Sequence, residues 1–167
     1  MTSESSYKKL RNQYLPKSLK TIFIFESLPT GGGYFYNPDG RPSELLFRSL
    51  MKCLFGKKFN TKHDGLTCFA NSGYFLVDPI YIPVDKLPDK EADELILKNY
   101  SNFVDDLKGI IGDKKVNLML AKKTVCQLLE KRLCDDGFNV LNNGVVIPFP
   151  MHYHYKSFEE KVQKLLL

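Results

Sequence analysis

The sequence predicts a three-layer α/β/α fold in which helices cover both faces of a mainly parallel, four-stranded sheet. Three observations lead there. Four apolar runs of strand length alternate with helix-length stretches, the order that parallel βαβ units produce. The first of these runs is continuously β-branched and aromatic rather than alternating with polar residues, as a strand buried on both faces is. The chain of 167 residues, 43% of them apolar, is long enough to build a full core as one domain.

Residues 1–17 form a basic N-terminal segment open to helix formation, and residues 18–167 a single α/β domain. The run Thr-Ile-Phe-Ile-Phe at 21–25 is the first strand. Three glycines at 31–33 end regular structure, because ordering them costs more backbone entropy than helix or strand returns. Ser43 is expected to cap a helix with Leu46, Leu50, Cys53 and Leu54 on one face, and Gly56 to end it. Residues 56–65 read as a basic loop with His63 on its surface, and Cys68 precedes a second strand at 74–77. Pro79 and Pro83 exclude central pairing just beyond it. From Asp89 to Ile111 apolar residues recur three or four apart, predicting one long amphipathic helix. The third and fourth strands are expected at 116–120 and 145–147, with a helix over 124–133 between them. A terminal helix carries Phe158, Val162, Leu165 and Leu166.

The longest apolar runs fall far short of the ~20 residues of a membrane helix. The first twenty residues contain no apolar stretch of the kind a secretory signal needs. A cytoplasmic monomer is therefore expected. Cys53, Cys68, Cys126 and Cys134 form no closely spaced pair, so they read as reduced thiols, and neither a metal nor a cofactor is expected. The net charge of +5 is concentrated in residues 1–20 and 41–65, a modest excess that suits contact with a phosphate backbone.

In parallel sheets a ligand binds beyond the carboxyl ends of the strands, where strand order reverses. That rule directs attention to residues 26–36, 78–83, 121–124 and 148–155. The first loop holds Glu26, Ser27 and Pro29, then the glycines, then Tyr34, Phe35 and Tyr36. It has neither GxGxxG nor the Lys-Ser/Thr ending of a P-loop, so a nucleoside triphosphate site is not expected. Three adjacent aromatics instead offer a flat surface on which a base can stack. The last loop runs Ile147-Pro148-Phe149-Pro150 and continues to His152, His154 and Lys156. Without acidic or thiol partners at supporting spacing, these imidazoles point to stabilising an anion rather than to ligating a metal.

Taken in order, these features resemble the uracil-DNA glycosylase superfamily over residues 18–167. The resemblance implies a DNA glycosylase-like hydrolase that flips a damaged, uracil-type base out of DNA and cleaves its N-glycosidic bond. Phe25-Glu26-Ser27-Leu28-Pro29 is similar in place to the superfamily's first motif, which implies that Glu26 handles water and Ser27 adjoins the base. Tyr34, Phe35 or Tyr36 would then be the stacking ring. Asp78 holds the place of an asparagine that reads the base edge; ionised, it accepts from the N3 hydrogen but does not donate to a carbonyl. Ile147-Pro148-Phe149-Pro150 keeps both prolines of a His-Pro-Ser-Pro motif but has isoleucine in place of histidine. His152 or His154 is therefore expected to stabilise the departing base, with Arg41, Lys57, Lys58 and Lys156 on the DNA backbone. The paired cysteine ligands of iron–sulfur members are missing. Two other classes stay open: an inactive nucleic-acid- or protein-binding module of the same fold, and a nucleoside or nucleotide enzyme.

Overall fold

Four short parallel strands cross the molecule in the order β2-β1-β3-β4: β1 (Thr21–Ile24), β2 (Tyr74–Val77), β3 (Asn117–Leu120) and β4 (Asn139–Val140). The computed structural model describes residues 3–31 and 33–167; residues 1 and 2 of the basic segment and Gly32 of the glycine loop lie outside the described residues. β1 is central, pairing Ile24 with Val77 on one side and with Leu120 on the other. Ile22, Phe23 and Ile24 have no exposed surface, as expected of a run with no polar alternation.

The chain leaves β1 for β2 on one side, then crosses back past β1 to β3. Right-handed crossovers in opposite directions place their helices on opposite faces. Accordingly α2 (Leu45–Phe55) packs on α3 (Lys62–Asn71) and α7 (Tyr155–Leu166), while α4 (Asp89–Lys98) packs on α5 (Tyr100–Ile111) and α6 (Lys123–Asp135). The result is the expected three-layer α/β/α arrangement. Ahead of it lies α1 (Glu4–Asn12), whose cap residue Ser3 accepts from the Ser6 N–H. Arg11 of α1 is buried, and its guanidinium donates to both Asp106 oxygens, at 2.8 and 3.1 Å, and to the Tyr81 hydroxyl at 2.8 Å. One of the cations counted for phosphate contact is thus committed to the interior.

Four expectations need correction. The fourth strand is the dipeptide Asn139–Val140, and residues 145–147 are irregular. The cause is Asn142, whose buried amide takes the backbone groups of Leu120 that a longer strand would pair: it accepts from the Leu120 N–H at 2.8 Å and donates to the Leu120 carbonyl at 2.9 Å. The expected helix from Asp89 to Ile111 breaks at Asn99, whose side chain donates to the Pro79 carbonyl at 2.8 Å. Residues 62–71 form α3 rather than a loop and strand approach. Thr61 caps this helix by accepting from the Asp64 N–H, and Gly65 leaves no room for a Cβ against Phe47. Ser43 does not cap α2; Glu44 occupies that position and uses its carboxylate to accept from the Arg41 N–H and from Lys62.

Asn142→Ala strips the buried Leu120 N–H of its partner and leaves the Leu120 carbonyl only the weak Cys126 thiol donor. It is expected to lower the unfolding free energy by about 2–3 kcal/mol in urea titration and to expose the Leu120 amide to faster hydrogen exchange.

Candidate functional site

The carboxyl ends of β1, β2 and β3 open into one cavity of about 650 Å³. Its location follows from topology: the crevice between β1 and β3 is where the strand order reverses. The walls are mainly apolar, with Phe25, Tyr34, Phe35, Phe47 and Phe149 among them, and they also carry the carboxylates Glu26, Glu44, Asp78 and Asp85 and the cation Lys122. Glu26 follows β1 by two residues, Asp78 follows β2 by one, and Lys122 follows β3 by two. All three side chains line the cavity.

Glu26 is almost fully buried and held on both oxygens: Lys122 Nζ lies 2.5 Å from Oε1, and the Thr124 hydroxyl donates to Oε2 at 3.1 Å. Lys122 makes this reach from a strained backbone. Its φ of 78° is in the region that side-chain-bearing residues avoid, fixed by its N–H donating to the Ile147 carbonyl at 2.8 Å. Strain at a strand end facing a cavity is a mark of a functional position. Lys122→Gly is expected to be about 1–2 kcal/mol more stable than Lys122→Ala, because both lose the amine and only glycine accepts the positive φ. Matched urea titrations measure the difference.

Asp78 is 5% exposed, and among the described residues no group hydrogen-bonds its carboxyl. Desolvation pushes its pKa up to about 7; Arg11 opposes that rise and the neighbouring Glu26 charge adds to it. A rise of this kind favours the protonated carboxyl, which donates as well as accepts, over the acceptor-only carboxylate. The folded protein binds this proton more tightly than the unfolded chain does. The native-state proton therefore contributes stability that is full below about pH 4 and lost as pH rises toward 7. Relative to Asp78→Asn, the wild-type protein is expected to lose about 2 kcal/mol of stability between pH 5 and pH 7, measured by urea unfolding of both.

The other expected site residues divide. Ser27, Tyr34 and Phe35 line the cavity. Tyr36 does not: its ring has no exposed surface and its hydroxyl accepts from the Leu76 N–H at 2.7 Å, making it a core residue. The glycine loop is tied across the mouth by Asp85, which accepts from the Thr30 backbone N–H and hydroxyl. His152 and His154 are not brought to the cavity wall: they lie exposed in a single 3-10 turn that follows Met151. The cation at the cavity is Lys122, whose only signal in the sequence was its place just after the third strand. Arg41, Lys57, Lys58 and Lys156 are exposed, but Lys62 in the same basic stretch is fully buried against Glu44 and the Tyr34 carbonyl.

Among the described residues no cluster of His, Cys, Asp or Glu is placed to hold a metal, and no helix is long and apolar enough to cross a membrane. The four cysteines are free thiols, with Cys53 and Cys126 buried. No protein family, characterised protein or solved structure matches the chain.

Proposed function

We propose that the protein is a hydrolase of the DNA glycosylase type, which takes a flipped base into the strand-end cavity and cleaves its N-glycosidic bond. One observation carries this reading: a buried carboxyl, Asp78, with no hydrogen-bond partner among the described residues, faces a cavity lined in part by aromatic rings, beside a carboxylate, Glu26, already fixed by two donors. Tyr34 and Phe35 supply apolar ring surface, and the neutral Asp78 carboxyl both donates and accepts, as a lactam edge requires. Glu26, held in place by Lys122 and Thr124, accepts a proton from water as the water oxygen bonds to C1′. The C1′–N bond breaks with its electron pair on the base, and Lys122 and Asp78 face the charge that develops there before the base is protonated.

Polymeric DNA as the source of the base is supported by the rim. Met151 lines the mouth and is 43% exposed, and Tyr153 nearby is 73% exposed, a pairing suited to the space a flipped base vacates. Exposed Arg41, Lys57, Lys58 and Lys156 add cationic surface for phosphates. The test is single-turnover base release from single- and double-stranded oligonucleotides containing uracil, hypoxanthine, xanthine or mismatched thymine. Release that is lost with Glu26→Gln supports the reading. Absence of release from every substrate overturns it, and salt-sensitive oligonucleotide binding in that case identifies a binding module.

A further inference from the structure

We propose that Asp78 gives the cavity a second ligand class: its ionised carboxylate takes bases whose edge presents two adjacent N–H donors, as guanine does at N1 and N2, while its neutral carboxyl takes donor–acceptor edges. The inference rests on the cavity being a base site. Its ground is geometric. Glu26 has both oxygens engaged, by Lys122 and Thr124, whereas Asp78 is buried, lines the same cavity and has no partner among the described residues. An ionised carboxylate only accepts; a protonated one donates from one oxygen and accepts at the other. A base lying against the aromatic wall therefore meets either acceptor–acceptor or donor–acceptor chemistry at one position. A mispaired edge leaves a buried polar group unsatisfied, which is how such sites discriminate strongly.

The groups around Asp78 leave it as the titrating one. Arg11, on α1, is held charged by Asp106 and the Tyr81 hydroxyl. Tyr34, Tyr36 and Tyr81 are buried, and desolvation raises the pKa of each phenol, so they stay neutral. Glu26 is paired to Lys122. With a midpoint near 7, Asp78 changes form within the ordinary working range.

The experiment is an NMR titration of the full-length protein with deoxyuridine and with deoxyguanosine at pH 6 and pH 8, repeated on Asp78→Asn. Deoxyuridine is expected to bind about 10-fold more weakly at pH 8, and deoxyguanosine about 10-fold more tightly, as the carboxyl ionises. The substituted carboxamide has no titrating proton, so in that variant both affinities are expected to be independent of pH. If deoxyuridine binds the wild-type protein with no pH dependence, or if Asp78→Asn keeps the wild-type dependence, the inference is overturned while the base site stands. If neither nucleoside binds at either pH, the base site itself is overturned.

Discussion

Glu26→Gln is expected to lower base release by about 10²- to 10⁴-fold while leaving the protein folded. Glutamine keeps the shape of the side chain and a carbonyl oxygen able to accept from Thr124 or Lys122, so the cavity wall is preserved. What it loses is the ability to take a proton from water. Because Lys122 and Thr124 already hold the carboxylate, no reorganisation is needed for it to act, and the effect should fall on kcat rather than KM. Single-turnover kinetics at saturating substrate, with urea unfolding as the control, make the measurement. A variant that stays folded and retains at least half of the wild-type rate removes Glu26 from the chemistry.

Asp106→Ala is expected to be the most damaging single change to the fold, costing about 3–5 kcal/mol. It leaves the Arg11 guanidinium, 1% exposed, as a buried charge with no anionic partner and only the neutral Tyr81 hydroxyl and Asn12 side-chain carbonyl to accept from it. Arginine cannot discharge itself by losing a proton, whereas the buried Lys62 can, since burial lowers its pKa. Glu44→Ala is accordingly expected to cost less than Asp106→Ala. Removing both members of the first pair, as Arg11→Met with Asp106→Ala, should recover most of the loss. Urea titration of the two single variants and the double variant checks this, and a double variant no better than Asp106→Ala excludes the unpaired charge as the cause.

Much of the architecture was legible because a parallel sheet writes itself into sequence as unbroken apolar runs. Residues 21–25, 74–77 and 116–120 read as strands, the first of them buried on both faces, and the chemistry had to follow them. That reasoning located Glu26 and Asp78. α3 was not legible, because its lysine and glycine read as a solvated loop: Lys62 is buried in an ion pair with a residue eighteen positions earlier, and Gly65 is small because Phe47 packs there. The same reasoning misplaced the fourth strand, since nothing local to Val145-Val146-Ile147 reveals that Asn142 has already taken the hydrogen bonds of Leu120.

By itself, then, the sequence determined the layer order, the first three strands and the strand ends from which a site must be built, because hydrophobic periodicity and glycine and proline punctuation are properties of neighbouring residues. Only the tertiary structure decided which side chains meet in the cavity. Lys122 reaches Glu26, 96 positions away, from a backbone conformation held by Ile147. The histidines turn to solvent and Tyr36 joins the core. Asp78 acquires its proton affinity from burial and from the neighbouring Glu26 charge, against the opposing charge of Arg11. Pairing across such separations depends on how elements pack, and a buried carboxyl takes its pKa from its surroundings rather than from its residue type.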